Sequence, residues 1–305
     1  MEFLSKNKTL DQAILATLSY FDIFKIPLSK SEILENLLFL KSDEKTVEKE
    51  LIEIKNENDL YSLNLKKADY EEKFERSKEY WKKVERFRFL FSLCPFIKLA
   101  CVCNSLCIND TDENSDIDLL IVTEKNRIFL ARVFITILTS IFGVRRHGLK
   151  IKKRFCLSFF VSESNFDFSK IALKPYDIYL AFWIKTLEPI AGDYKIYEKL
   201  ISENSRFLSQ YFENPITVKK DHFEKRNTIQ NCTKKTLEKL FSAEFINSKC
   251  REIQLNRARS KMETLSNQSG TIINDEMLKF HDNDMREKIR NKWEERLSLI
   301  VESTL

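Results

Sequence analysis

Residues 97–122, IKLACVCNSLCINDTDENSDIDLLIV, constrain this chain more than any other stretch. They read as an apolar strand, a short polar turn, an acidic loop and a second apolar strand that opens on Asp116-Ile117-Asp118. Residues two apart on a strand share a face, so the two carboxylates point the same way, about 6.5 Å apart along the strand. At that separation two negative charges repel by about 2–3 kcal/mol at an effective dielectric of about 20. A fold that buries the backs of both strands has no structural use for such a pair. A divalent cation between them turns the repulsion into a binding site.

Composition narrows what that site can be. Glycine occurs only at 143, 148, 192 and 270, so no glycine-rich phosphate loop of the Walker or Rossmann kind can be assembled, and phosphate recognition must use another device. The 305 residues suffice for two or three domains, and 43% hydrophobic with 32% charged residues describes a globular chain. Seven cysteines, an odd number with no pairing framework, and the lack of a signal peptide predict a reducing, cytoplasmic setting. Cys101, Cys103 and Cys107 lack a CxxC pair or a nearby histidine, so they read as buried strand residues rather than a structural metal site. The most apolar segment, 128–142, is interrupted by Arg132 and falls short of the ~18 residues that cross a membrane. It predicts a buried helix and no membrane partner.

In chain order, Leu10, Ile14, Leu15 and Leu18 recur at helical spacing. Ser29-Lys30-Ser31-Glu32 is a capping box that opens a second helix reaching about Phe39. Ser42 is placed to cap a third, with Val47, Leu51 and Ile54 on one face, and residues 60–65 alternate like one arm of a hairpin. Three helices and a ribbon predict a winged-helix-like module over 1–67. Its third helix is more acidic than basic, a poor match for a helix lying on phosphates. Residues 68–93 predict a charged connecting helix stopped by Pro95. After the second strand comes the apolar helix with Gly143 at its C-terminal cap, then RRHGLKIKKR with six basic residues, then a third strand over 155–161. Beyond Pro175 the pattern is helical almost to the end. Within it, 216–262 carries twelve basic against five acidic residues, suited either to nucleic-acid backbone contact or to a solvated helix surface. His281, Asp282 and Asp284 near the start of the last helix could ligate a metal, but acids there are also what the helix dipole favours.

A strand, the Asn104-Ser105 turn, and Asp-x-Asp on the next strand is the order that nucleotidyl transfer needs. Backbone N–H groups of the turn and the Ser105 hydroxyl can hold terminal phosphates, while Asp116 and Asp118 hold a cation that bridges them. These residues, Asn104-Ser105 followed by Ser115-Asp116-Ile117-Asp118-Leu119, resemble the G-S…S-D-x-D-hydrophobic signature of the DNA polymerase β-like nucleotidyltransferase superfamily. They are closest to its small bacterial minimal nucleotidyltransferase-domain proteins. The signature spans about 20 residues, and its strand–helix–strand context extends the resemblance to roughly 94–165; the N-terminal helical module and Arg145-Arg146 match multidomain bacterial members more loosely.

The resemblance implies an α+β fold with a small mixed-sheet nucleotidyltransferase core over 94–170, the winged-helix-like module before it and a helical region over 171–305. It implies Asp116 and Asp118 as catalytic residues holding Mg²⁺ or Mn²⁺ with Glu163 as third ligand. It also implies Asn104, Ser105, Ser115, Arg145 and Arg146 as phosphate-binding residues. The substrate is then a nucleoside triphosphate, and the acceptor a hydroxyl on a nucleic acid, a protein or a small molecule. Two departures from the family pattern stand out. Asn104 replaces the turn glycine, asparagine being the next-best residue for a left-handed backbone. The strand 155–161 carries no acid, leaving Glu163, Asp167 or Glu188 to supply a third carboxylate. The alternative is a degenerate member that binds nucleotide or nucleic acid without turnover, as a regulator or an antitoxin-like partner.

Overall fold

Side-chain caps set the helix starts in the first part of the chain. Thr9 accepts a bond from the Gln12 N–H and Gln12 returns one to the Thr9 N–H, opening α1 (Leu10–Asp22). After β1 (Leu28–Ser29), Ser29 and Glu32 do the same for α2 (Lys30–Glu35). This helix ends earlier than its apolar pattern predicts. Asn36 donates to the Glu32 carbonyl and accepts from the buried Lys185 ammonium, while Leu37 and Leu38 leave the helix fully buried. α3 (Glu44–Glu50) is capped by Asp43, not Ser42, and buries only Val47. β2 (Asn56–Glu57) and β3 (Leu60–Tyr61) complete an antiparallel sheet of order β1-β3-β2. The computed structural model describes residues 9–53, 56–63, 67–262, 270–280 and 284–304, so Ile54, residues 64–65 of the expected hairpin arm, and 281–283 lie outside the described residues.

α4 (Lys67–Phe87) is more than a solvated connector. Its Tyr80 and Val84 are fully buried. Along the same helix Arg76 donates to the Thr111 carbonyl (2.9 Å), Ser77 bonds Thr111 (2.8 Å) and the Tyr80 hydroxyl donates to the Ser115 carbonyl (2.9 Å). The acidic loop is therefore clamped before it delivers Asp116. α5 (Phe89–Leu93) follows, then β4 (Ile97–Val102), a 3-10 turn at Asn104–Ile108, and β5 (Ile117–Thr123) antiparallel to β4. α6 (Ile128–Ile141) crosses to β6 (Phe155–Ser162), which pairs parallel with β5. Gly143 closes α6 at φ +63°, in the left-handed region where glycine carries no Cβ penalty. These strands are continuous apolar runs because both of their faces are covered.

The C-terminal stretch departs from the all-helical expectation. It contains α7 (Ile178–Thr186), β7 (Glu188–Gly192), α8 (Tyr194–Glu203), α9 (Ser205–Leu208), β8 (Glu224–Lys225), α10 (Thr228–Leu240), α11 (Glu244–Met262), β9 (Thr271–Ile273), β10 (Met277–Phe280) and α12 (Arg286–Thr304). Its four strands extend the core to a mixed sheet of order β8-β7-β4-β5-β6-β10-β9, so 171–305 is not a separate helical region. Each is five residues or fewer, too short for a period of two to emerge between helices. Gly192 explains how β7 lies against β4: at φ +124°, an added Cβ would stand 2.3 Å from the Lys98 carbonyl oxygen.

Two cores flank this α+β sheet. On one face Leu99, Cys101, Leu120, Val122, Phe159 and Val161 pack under α7, α8 and α12, and the Trp293 indole donates to the Ala16 carbonyl (2.9 Å), joining α12 to α1. On the other face Ala100, Val102, Leu119, Ile121 and Phe160 pack under α5 and α6. Most of the basic stretch 216–262 lies on this second side, with α10 against α5 and α11 against α6, while Ile216 and Val218 at its start pack against the first core. Part of its charge serves packing: Lys234 is buried and donates to the Ile97 carbonyl. Among the described residues, no helix is long and apolar enough to cross a membrane.

Candidate active site

β4 ends at Val102, and the chain must reverse at once to bring β5 back beside it. Asn104 makes that reversal at φ +61°, the left-handed conformation asparagine tolerates best after glycine. Its side chain then does what a glycine could not. Asn104 Nδ2 donates to Asp118 Oδ2 (2.8 Å), and its Oδ1 accepts from the Tyr179 hydroxyl of α7 (3.3 Å). The turn, the carboxylate and the helix above them are held in one chain of bonds.

Across the parallel β5–β6 pair, Ile117 faces Phe155 and Asp118 faces Cys156. One ligand atom each from Asp116, Asp118 and Cys156 lies within 4.8 Å of the others. Arg146 joins them: its backbone N–H bonds the Phe155 carbonyl (2.9 Å), and its Nη1 reaches Asp116 Oδ2 at 2.5 Å and Cys156 Sγ at 3.5 Å. Burial and then the Asp118 charge push the Asp116 carboxyl above its ordinary range, against the pull of Arg146. Burial, followed by the two carboxylates, pushes the Cys156 thiol up to about 12. Two half-buried carboxylates and a buried thiol crowded together make a place that favours positive charge. As a donor set they fit one divalent cation; they do not furnish the third carboxylate that a second cation would share.

Asp118 also opens onto a cavity of about 440 Å³, within the range of small-molecule sites. Asn104, Ser105 and Ile108 form its floor together with Asp118. Tyr20, Phe159, Tyr179, Phe182 and Trp183 supply aromatic wall, and Lys279, Lys288 and Lys292 supply positive charge. Lys279, from β10, is 8% exposed, and burial lowers its pKa. Lys288 and Lys292 lie one turn apart on α12, exposed, at the cavity mouth. Arg286 also lines the cavity but is engaged by Asp284 and Asp177.

The expected site residues divide. Asn104, Ser105, Asp116, Asp118 and Arg146 are brought together. Ser115 is not turned to phosphate duty: its Oγ accepts from the Asp112 N–H (2.8 Å) and closes the acidic loop. Arg145 alternates with Arg146, bridges to Phe155, and its charge acts on Arg132 of α6 on the sheet's other side. Glu163 cannot be the third ligand. It follows the far end of β6, its N–H bonded to the Thr123 carbonyl (2.9 Å) and its carboxylate to the Lys125 N–H. Seven residues of extended chain put it roughly 20 Å from Cys156. Asp167 caps a short 3-10 turn through the Ser169 N–H. Of His281-Asp282-Asn283-Asp284, the first three lie outside the described residues, and Asp284 is paired with Arg286.

Glu188 pairs with Val102 across β7–β4 and so shares the face opposite Asp118; it lines a separate cavity with Cys107 and His222. The carboxyl is 5% exposed, with Oε1 lacking a partner among the described residues. Burial pushes it up to about 7, against Lys219 and with Asp221. Because the folded state holds this proton more tightly than the unfolded chain, the associated stability is complete below pH ~4.5 and lost as pH rises through ~7. Glu188→Gln is therefore expected to be near-neutral at pH 4.5 and to stabilise by up to about 3 kcal/mol at pH 8, which urea unfolding at the two pH values checks.

Sequence reasoning missed Cys156, Tyr179, Lys279, Lys288 and Lys292. For Cys156 a signal existed, since strand alternation from Phe155 puts it on the face of Asp118; for the α12 lysines none did. Comparison with family models, with curated proteins and with solved structures finds no match.

Proposed function

We propose that this chain is a divalent-cation-dependent nucleotidyltransferase that moves a nucleoside monophosphate from a nucleoside triphosphate to a hydroxyl acceptor. The observation that carries the proposal is Asn104 bonded to Asp118 at the floor of a cavity walled by aromatic rings and lysines. That combination suits a ligand with a flat base at one end and several negative charges at the other. Asp116 and Asp118 would hold the cation, which when bound would offset charge on the reacting phosphoryl group and lower the pKa of the attacking hydroxyl. Asn104 keeps Asp118 aimed at that position. The Asn104–Ile108 turn and Ser105 receive phosphate oxygens, and Lys279, Lys288 and Lys292 neutralise the polyphosphate and the departing pyrophosphate. Aromatic walls hold the base and exclude water, so the protein's work is positioning and electrostatics.

The basic segment 145–154 beside Asp116 supports an acceptor on a nucleic acid or protein. The element order of residues 10–61, with its β1-β3-β2 sheet, supports a winged-helix module. Its α1 is packed into the cavity wall and its α3 is acidic, which favours a packing role over DNA contact. A second reading has its own observation: Arg146 already sits on Asp116, and a thiol stands where a third acid would, as expected of a nucleotide binder without turnover. Labelled ATP, CTP, GTP and UTP, each with Mg²⁺, Mn²⁺, Co²⁺ or Zn²⁺ and an acceptor panel, separate the two. The enzyme releases pyrophosphate with at least one nucleotide. Cation-dependent binding without release from any of them decides for the second reading.

A further inference from the structure

We infer that the cation at this centre is held by Asp116, Asp118 and the Cys156 thiolate, and that the centre therefore selects a borderline cation of the Zn²⁺/Co²⁺ class over Mg²⁺. The inference rests on the reading that Asp116 and Asp118 hold a metal, and it changes which metal. Three features support it. The β5–β6 register sets Cys156 directly opposite Asp118, on the strand where a third carboxylate was sought. The ligand atoms, all within 4.8 Å of one another, need to close to about 3.3–3.7 Å, a shift of up to about 1 Å, to meet one four-coordinate ion through bonds of about 2.0–2.3 Å. The place also accepts positive charge already, since the Arg146 guanidinium touches both Asp116 and Cys156. Arg146 is 45% exposed, so its side chain can swing into solvent when an ion enters.

Ligand chemistry then decides the ion. Mg²⁺ takes hard oxygens in near-octahedral geometry and gains little from sulfur. A thiolate beside two carboxylates suits Zn²⁺ or Co²⁺ in a four-coordinate site whose fourth position stays open to a ligand from the cavity. The Cys156 proton is released to solvent as the metal–sulfur bond forms. Asn104, bonded to Asp118, completes the surround by fixing which oxygen of that carboxylate turns to the ion. The neighbouring buried cysteines are not drawn in: Cys101 lies in β4 and Cys103 directly follows it, both within the core beneath the sheet.

The test uses the full chain after chelation, with Co²⁺ as probe. The wild type is expected to take one Co²⁺ per chain and develop a near-ultraviolet thiolate-to-cobalt charge-transfer band, which Zn²⁺ abolishes by competition. Cys156→Ser should lose the band and bind Zn²⁺ about 100-fold more weakly, while Cys232→Ser, at an exposed site, keeps both. Cys156→Asp should lose the band and bind Mg²⁺ about 10-fold more tightly than the wild type, which shows that the fold survives the change. No band, or a band that Cys156→Ser leaves intact, overturns the proposal. If that happens while Mn²⁺ still binds and Asp118→Asn abolishes it, the carboxylate site stands without its thiol. If no cation binds at all, the metal reading falls with it.

Discussion

Asp118→Asn is expected to lower nucleotidyl transfer about 10³-fold while leaving thermal stability unchanged or slightly raised. The size follows from what the carboxylate is asked to supply. Charge stabilisation through a metal ligand is worth several kcal/mol in a transition state, and about 4 kcal/mol corresponds to about 10³ in rate. The amide is nearly isosteric, yet it cannot substitute. Asn104 Nδ2 donates to Asp118 Oδ2, so an asparagine at 118 keeps that bond only by presenting its carbonyl oxygen to Asn104, which turns its NH₂ toward the cation position. The variant then offers a donor where a ligand is needed. Stability does not fall, because the substitution also removes one of two repelling charges beside Asp116. Steady-state pyrophosphate release and a melting curve on the same preparation check both halves. A tenfold loss or less would mean that Asp118 does not bear on the reacting phosphoryl group. Loss of activity together with a large fall in melting temperature would assign Asp118 to the fold instead.

The contrast between Asp118 and Glu163 shows what the residues made legible and what they did not. A strand, a tight turn and a returning strand are local events, written in contiguous residues: the apolar runs at 97–102 and 117–123, the asparagine at the one left-handed position, and two acids at a spacing of two. Their geometry could be read before any tertiary contact was known, and so could the α+β class. Glu163 was a candidate because it lay a few residues beyond a strand, but strand direction decides such matters. β6 runs parallel to β5, so the residue after its C-terminal end is carried away from Asp116, whereas the second residue of the strand, Cys156, arrives beside Asp118. The cavity wall was illegible for a different reason. Lys279 comes from a four-residue strand and Lys288 and Lys292 from the last helix, more than 150 residues from Asp118. Non-local pairing of this kind leaves no local pattern. Even the charge pattern misleads here, because the helices α10 and α11 of the long basic stretch 216–262 pack against α5 and α6 on the side of the sheet away from the cavity.

Arg286→Ala is expected to cost about 3–5 kcal/mol of stability, the range for removing one partner of a buried ion pair, and to weaken nucleotide binding with it. Arg286 is 8% exposed. Its Nε and Nη2 grip Asp284 at 2.6–3.0 Å, while Nη1 donates to Asp177 (3.1 Å) and to the Ile171 carbonyl (2.6 Å). Asp177 is 1% exposed and caps α7, accepting from the N–H groups of Leu173 and Leu180. Those two bonds persist in the variant and keep the loss from exceeding the range, but they leave a buried carboxylate without its counter-charge. Arg286→Lys restores the charge without the planar fork that serves four acceptors, so it should recover less than half of the loss. The coupling to binding is geometric: the same guanidinium ties the first turn of α12 to the start of α7, and Lys288 of that turn and Lys292 of the next line the cavity. Loosening that anchor would move cations away from the proposed polyphosphate even where the chain stays folded. Urea unfolding measures the first effect, and nucleotide titration below the unfolding transition measures the second. Full affinity in a destabilised but folded Arg286→Ala would show that α12 contributes a wall to the cavity and no charge to its ligand.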